Sequence, residues 1–339
     1  LPELDEDTIL ILFVIYEKFA SPDSFWKPYL DLLPETIDSG LFFDATDQSY
    51  AAGTTLDQEI AMTIEQFVSV HKNIMELVKP FEDVFSAETF SLERFLWARA
   101  MFDSRGFNLN IQGVARNCLL PFIDSINTMH YSHLQNRGRI EENRPGQISD
   151  LGTYVLPSLS PCSFIGNQVF LNYGGFSTRD LVLFYGFTYE GEHNPYDSWN
   201  LDLDIPDNDN AEARLQLAAT LNITNDHYLM AHRISNDLLC YLSILVLPAE
   251  EIPTAITLKP SALRNFLLHN TRMPLIIDSL EALVEQLKDS LLSQNEFLSR
   301  SENSICSPSN RAKLAFLYAK AQLHILESNA LMLQSLAQK

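Results

Sequence analysis

The sequence predicts an α+β fold, and three features of its patterning predict it. Residues 1–110 carry helix signals in series. Residues 111–200 break into short apolar runs punctuated by Gly, Pro and Asn, the mark of short irregular strands. From about residue 211 to 339 the helical period returns in long amphipathic stretches, which suit a bundle or lobe rather than a sheet domain. The 339 residues suffice for two domains of ordinary size, and no internal repeat is evident.

Taken in order, Asp5, Glu6 and Asp7 precede the apolar run Ile9–Tyr16, as acids often do at a helix start. That run is too short to span a bilayer and reads as a core element. Ser21-Pro22-Asp23 signals a turn. Thr55-Leu-Asp-Gln58 has capping-box form. Ile60, Ile64, Phe67 and Val68 follow with helical period, and Pro80 ends that segment. Ser91 caps the next helix, which holds Trp97 and carries Arg105 at its far end. Arg137 to Gly152 is polar and contains Gly and Pro, so it reads as an exposed loop. Asp202, Asp204, Asp207 and Asp209 fall where the character changes again, at a junction between domains. Their spacing lacks the glycine and terminal glutamate of a calcium-binding EF-hand loop, so a solvated acidic linker is expected. Leu280, Leu283, Val284, Leu287 and Leu291 form one apolar stripe. Pro308-Ser309 starts a final long helix with Leu314, Leu317, Ala321, Ile325 and Leu326 inward.

Composition narrows the function classes. Apolar residues make up 46% of the chain, which supports a sizeable core. Lys+Arg number 23 against 44 Asp+Glu, for a net charge of -21. Such a balance argues against a nucleic-acid surface, which needs clustered positive charge. It suits solubility, and equally a basic, lysine-bearing protein partner. Cys118, Cys162, Cys240 and Cys306 are widely spaced and give no metal pattern, so reduced thiols inside the cell are expected. His130 and His133 lack an apparent third ligand, and no metal is expected. The chain begins with Leu1, so any targeting segment is taken to be missing and the compartment (cytoplasm, nucleus or plastid) is open.

The most informative stretch is residues 168–187, Gln-Val-Phe-Leu-Asn-Tyr-Gly-Gly-Phe-Ser-Thr-Arg-Asp-Leu-Val-Leu-Phe-Tyr-Gly-Phe. Val169 to Tyr173 read as a short buried strand broken by Gly174 and Gly175. A helix-like turn then carries Leu181 to Phe184 toward Tyr185. Both Tyr173 and Tyr185 are followed by glycine. Upstream stand Phe95-Leu-Trp-Ala98, Ser104-Arg105-Gly106-Phe107 and Leu119-Leu-Pro-Phe-Ile-Asp124-Ser-Ile-Asn127; near the start stand Ser24-Phe-Trp-Lys-Pro-Tyr29 and Leu32-Leu-Pro34; after Phe187 comes Asn194-Pro-Tyr-Asp197. In order and spacing, over nearly the whole chain, these pieces resemble SET-domain protein methyltransferases of the Rubisco large-subunit and actin-histidine methyltransferase type.

That resemblance implies a SET-domain β fold over 1–200 lacking its N-terminal strands, with a helical insert over about 1–105. An all-helical substrate-binding lobe would follow over 201–339. It implies methyl transfer from S-adenosylmethionine to a protein side chain, with a monomer, a protein substrate, no nucleic acid and no membrane. Tyr173 and Tyr185 take the catalytic positions. Arg105, Asp124, Asn127, Thr128 and Tyr173 take the cofactor positions, and Phe107, Tyr185 and Phe187 the substrate channel. Histidine-directed members carry a polar residue two positions beyond the arginine and lack the second tyrosine. Phe107 and Tyr185 therefore point to lysine. Three departures stand against these matches. The family's Gly-x-Gly cofactor loop lies upstream of Leu1, so the sequence is read as partial. Thr128 replaces the histidine of the family's Asn-His pair, and Ser177-Thr178 replaces a Ser-Asn pair. The two threonines leave an alternative open, a catalytically weakened scaffold that binds a protein partner.

The residue types suit the chemistry. An arginine can grip a carboxylate with paired hydrogen bonds, and an asparagine can fix an amine or a backbone turn. Tyrosine faces and hydroxyls can orient an amine. By periodicity alone the same residues also suit two core tyrosines, a helix-terminal arginine and a turn asparagine. Asp124 sits in an apolar context and needs hydrogen-bond partners, which makes it a structural residue and a poor general base.

Overall fold

The computed structural model describes residues 4–111, 113–130, 147–148, 154–155, 165–166, 168, 170–171, 173–191, 193–208, 210–269, 272–299 and 309–337. They divide into two compact units. The first draws on the described parts of Leu1–Ser49, Thr55–Asn194 and Ser307–Ala315, the second on those of Tyr50–Thr54, Pro195–Cys306 and Phe316–Lys339.

In the first unit, α1 (Glu6–Phe19) starts at Asp5, whose carboxylate accepts from the Thr8 amide at 2.7 Å. Its apolar run buries Ile11, Leu12, Val14 and Ile15 against α5 (Leu92–Arg105), which contributes Phe95, Trp97, Ala98 and Met101. Ser91 caps α5 as expected, accepting from the Arg94 amide. Between them lie α2 (Lys27–Leu30), α3 (Ala45–Ser49) and α4 (Leu56–Val78), and a 3-10 turn at Lys79–Phe81 accommodates Pro80. The capping box expected at Thr55 does not form. Thr55 has helical dihedrals, and its hydroxyl instead donates to the Glu59 carboxylate at 2.8 Å.

Strands β1 (Gly106–Ile111) and β2 (Val114–Leu119) make an antiparallel hairpin with Phe107 opposite Cys118. Inside the stretch read as an exposed loop lies β3 (Gln147–Ile148), which pairs with β4 (Tyr154–Val155) just beyond it. The rest of Arg137–Gly152 lies outside the described residues, as do Cys162, Cys306, His133, Asp209 and Pro308. In the expected 169–173 strand, Leu171 forms one parallel bridge with Thr128, and Val169 and Asn172 lie outside the described residues. Then α6 (Thr178–Asp180) opens on a reciprocal Ser177–Asp180 capping box and runs into a π-helical turn, Leu181–Tyr185.

Among the described residues, the regular structure of the second unit is helical except for one ribbon. β5 (Ser198–Asp202) pairs antiparallel with β6 (Asp226–Met230), a strand inside the region read as helix. Asp202 is therefore the last residue of a strand and not part of a linker. Its carboxylate accepts from the Asn225 side-chain amide at 2.9 Å, and Asp204 and Asp207 fall in the same segment of this unit, Pro195–Cys306. Helices α7 (Ala211–Thr220), α8 (Asn236–Leu245), α9 (Ile252–Ile256) and α10 (Pro260–Leu267) enclose a cluster of Leu217, Tyr241, Ile244 and Leu263. α11 (Met273–Gln294) buries Leu280, Val284 and Leu291 from its predicted stripe, with Leu283 and Leu287 packed alongside. α12 (Asn310–Ala337) belongs to this unit from Phe316 onward; its first turn, counted with the first unit, is capped by Ser309, whose hydroxyl accepts from the Ala312 amide at 3.0 Å. Among the described residues no helix is long and apolar enough to cross a membrane.

Arg214 is the unit's main polar anchor. Its buried guanidinium donates to the carbonyls of Ile244 and Leu245 in the last turn of α8 and of Leu247 just beyond it, where helix carbonyls run short of amide partners. Arg214→Ala should therefore cost about 3 kcal/mol in denaturant unfolding. A loss below about 1 kcal/mol would show that those carbonyls are satisfied otherwise.

Candidate active site

The site is organised around the 3-10 turn Ile123–Ser125. Phe122 enters it in a left-handed conformation, φ 72°, and turns the chain so that Asp124 points inward. The Asp124 carboxylate is buried and has two partners. The Tyr29 hydroxyl donates to Oδ2 at 2.8 Å, and Nη1 of Arg105 lies 3.6 Å from the same oxygen. That Nη1 also donates to the Asp124 carbonyl at 3.1 Å. The next carbonyls are used in turn. Ile126 accepts from the Tyr173 hydroxyl at 2.7 Å, and Asn127 accepts from the Leu171 amide at 2.9 Å. Arg105, Asp124 and Tyr173, separated in sequence, thus meet in one cluster of the first unit.

An aromatic wall continues from it. The Tyr173 and Tyr185 rings are 5.8 Å apart, and Phe176 lies 5.1 Å from Tyr185. Phe187 stands edge-on to Tyr185 at 6.2 Å, Tyr189 edge-on to Phe187 at 5.8 Å, and His130 edge-on to Tyr189 at 4.8 Å. Two glycines let the chain before α3 press against the turn that carries Tyr185. A Cβ on Gly40 would lie 3.0 Å from a Leu183 methyl. One on Gly186 would lie 2.9 Å from the Asp38 backbone, at a φ of +73° that side chains rarely adopt.

Burial sets the acid–base character of this wall. It raises the Tyr29 phenol, helped by the hydrogen bond to Asp124. It also raises Tyr173, with Arg105 pulling the other way. Tyr185 is raised by burial first, then by Tyr173 and Asp103, and Tyr189 is raised by burial against a hydrogen bond from Thr128. Asp103 is itself raised by burial and opposed by Arg99, 2.7 Å away. The tyrosines therefore stay neutral across the physiological range.

Other predicted positions are arranged differently. The Asn127 side chain is exposed and makes no hydrogen bond among the described residues. Thr128 is bridged to Leu171 through its backbone, and against the larger effect of burial its hydroxyl lowers the Tyr189 phenol. Thr178 is buried at the first position of α6. The Phe107 ring is half-buried on the hairpin and makes no ring contact with the tyrosines among the described residues. Four residues of the cluster carried no role in the sequence reading: Tyr29, Asp103, Phe176 and Tyr189. Only Asp103 had a local signal, its i,i+4 spacing from Arg99. Among the described residues no three His, Cys, Asp or Glu side chains group as a metal site needs.

This fold is that of the SET-domain protein methyltransferases. Rubisco LSMT bound to AdoMet superposes with a TM-score of 0.72 at 19% identity, covering 99% of this chain and 76% of that one. The SET domain of LSMT bound to MeLysine and AdoHcy superposes at 0.69 and 19% identity, again covering 99% and 76%. In sequence, the chain is 31% identical over 208 residues to the chloroplastic fructose-bisphosphate aldolase-lysine N-methyltransferase of Arabidopsis thaliana, covering 58% of this chain and 40% of the relative. It is 23% identical over 330 residues to the ribosomal lysine N-methyltransferase set10 of Schizosaccharomyces pombe, covering 94% and 56%. It is 24% identical over 342 residues to the human actin-histidine N-methyltransferase, covering 94% and 54%. The chain thus spans about half the length of the curated relatives it matches. No family model matches it.

The raised phenols predict an alkaline signature. An unfolded tyrosine loses its proton near pH 10, whereas Tyr29, Tyr173, Tyr185 and Tyr189 hold theirs longer in the folded chain. The unfolded state then binds fewer protons, so their contribution is full below about pH 10 and is lost as pH rises beyond it. Ultraviolet titration of the native protein should show a delayed group of tyrosines that normalises on unfolding. Ionisation of every tyrosine near pH 10 would contradict the buried wall.

Proposed function

We propose that this chain is the SET-fold part of a protein-lysine N-methyltransferase that uses S-adenosylmethionine. The first unit would be the SET domain with its helical insert, and the second the lobe that receives the protein substrate. The observation that carries this reading is the convergence of Arg105, Asp124 and Tyr173 beside a tyrosine-rich wall. The relatives and the fold support it.

The residues present fit the cofactor. Nη1 of Arg105 is held by Asp124, while Nε and Nη2 carry no hydrogen bond among the described residues, so the guanidinium can still take a carboxylate at two points. The exposed amide of Asn127 is available to the neighbouring amino group. When bound, S-adenosylmethionine supplies a methyl group on a cationic sulfonium. The protein's part is alignment, dehydration and control of one proton. Only roughly one free lysine in 2,500 is neutral at pH 7. An apolar wall of Phe176, Tyr185 and Phe187 disfavours the ammonium and so promotes release of that proton to water. The Tyr173 hydroxyl spends its proton on the Ile126 carbonyl, which leaves its oxygen lone pairs to accept from the amine N–H. The second tyrosine, Tyr185, and the apolar Phe107 favour lysine over histidine. An acidic chain of net charge -21 favours a basic protein as the partner, reached inside the cell.

The scaffold reading rests on one observation. Thr128 stands where the family keeps a histidine, and a threonine cannot supply that ring's contacts, so the position offers less to a cofactor.

The test is transfer of labelled methyl from S-adenosylmethionine by the full-length protein to purified aldolase, ribosomal proteins and actin, with product analysis for methyllysine. Tyr173→Phe should lower turnover on the order of 100-fold while leaving the melting temperature within a few degrees. Full turnover in that variant would overturn the role of Tyr173. Failure of the wild type both to transfer and to bind cofactor would favour the scaffold.

A further inference from the structure

We infer that Tyr29 is a positioning residue for the cofactor-facing arginine: by occupying Oδ2 of the buried Asp124, its hydroxyl keeps Arg105 in a loose pair with that carboxylate and leaves one edge of the guanidinium for an external carboxylate. The inference rests on the proposed function, and it extends that reading to a residue of the helical segment, outside the site motifs.

Three observations carry it. First, Arg105 does not make the close two-point pair that arginine and aspartate usually adopt when buried together. Its nearest approach to the carboxylate is 3.6 Å, well beyond a charge-assisted hydrogen bond, and its 3.1 Å bond goes to the Asp124 carbonyl. Second, the oxygen facing Arg105 is the one that Tyr29 holds, at 2.8 Å. A phenol at this distance competes with the guanidinium for the lone pairs of one oxygen. Third, Tyr29 cannot drift from that role. It sits on α2, whose Leu30 is buried in the core with α1 and α5, and its own ring packs against the same cluster. Burial and the Asp124 bond keep the phenol protonated, so it is a permanent donor.

Removal of the hydroxyl has a defined consequence. In Tyr29→Phe the ring and its packing remain, and Oδ2 loses its neutral donor. Arg105 is then the remaining partner of that carboxylate among the described residues, and the guanidinium closes on it. A closed Arg105–Asp124 pair has to be opened again before an external carboxylate can bind. The loss should therefore fall on ligands that carry the carboxylate and spare those that do not.

The experiment is calorimetric titration of the full-length protein and its Tyr29→Phe variant with two ligands, S-adenosylmethionine and decarboxylated S-adenosylmethionine. They share the sulfonium and the amine and differ in the carboxylate alone. Tyr29→Phe should weaken S-adenosylmethionine by roughly tenfold, the scale of one redirected charge-assisted bond, and leave the decarboxylated ligand within about twofold. Asp124→Asn in the Tyr29→Phe background should restore the lost affinity in part, because the competing charge is gone. Equal weakening of both ligands, or of neither, would overturn the positioning role while leaving the proposed function standing. Absence of S-adenosylmethionine binding in the wild type would overturn the proposed function and this inference with it.

Discussion

A carboxylate buried in an apolar shell must be compensated, and in this protein the compensation of Asp124 decides where the site can be. Its partners come from places far apart in the chain: Tyr29 from α2 and Arg105 from the last residue of α5. Each partner is fixed by packing of its own, since α2 and α5 both contribute to the core around α1. Satisfying one charge therefore locks the Ile123–Ser125 turn against two helices. The carbonyls that follow, at Ile126 and Asn127, are then aimed at Tyr173 and Leu171. The aromatic wall inherits its place from this turn at one end. At the other it rests on Gly40 and Gly186, which allow the chain before α3 to approach the Tyr185-bearing turn.

The same compensation separates two electrostatic tasks. Arg105 and Asp124 form a polar cluster, and Tyr185, Phe176 and Phe187 form an apolar face beside it. Tyr173 belongs to both, with its hydroxyl in the first and its ring in the second. In the proposed reaction a sulfonium methyl and a lysine amine would make opposite demands. One end of the cofactor needs fixed charge, and the amine needs a dry surface that disfavours its proton. A boundary residue with a neutral hydroxyl meets both demands, and burial is what keeps Tyr173 neutral.

Much of this was legible in the sequence where one residue type carries one local rule. Asp5 and Ser91 begin helices because their side chains satisfy free amides; Ser91 was readable as a cap, and Asp5 as one of the acids that precede a helix. The Leu280–Leu291 stripe was readable because the helix buries one face. Thr55 misled because an acid at Glu59 outcompetes the capping geometry for its hydroxyl. Strand β6 was hidden because only His227 and Leu229 alternate inward, too few positions to stand out between helices. At the site, Arg105, Asp124, Tyr173 and Tyr185 stood out by motif and do meet. Tyr29, Phe176 and Tyr189 gave no such signal, because their roles arise from tertiary contacts, Tyr29 across 95 positions of sequence. The exposed side chain of Asn127 and the place of Thr128 are likewise set by a bridge to Leu171 that no local rule encodes.

The central claim is that the Arg105–Asp124–Tyr173 cluster is one end of a cofactor site. It is tested most directly by calorimetric titration of S-adenosylhomocysteine into the full-length protein and its Arg105→Ala variant. The account predicts micromolar binding by the wild type and a loss of at least about tenfold on removal of the guanidinium. Unchanged affinity in Arg105→Ala, or no binding by a folded wild type, would contradict it.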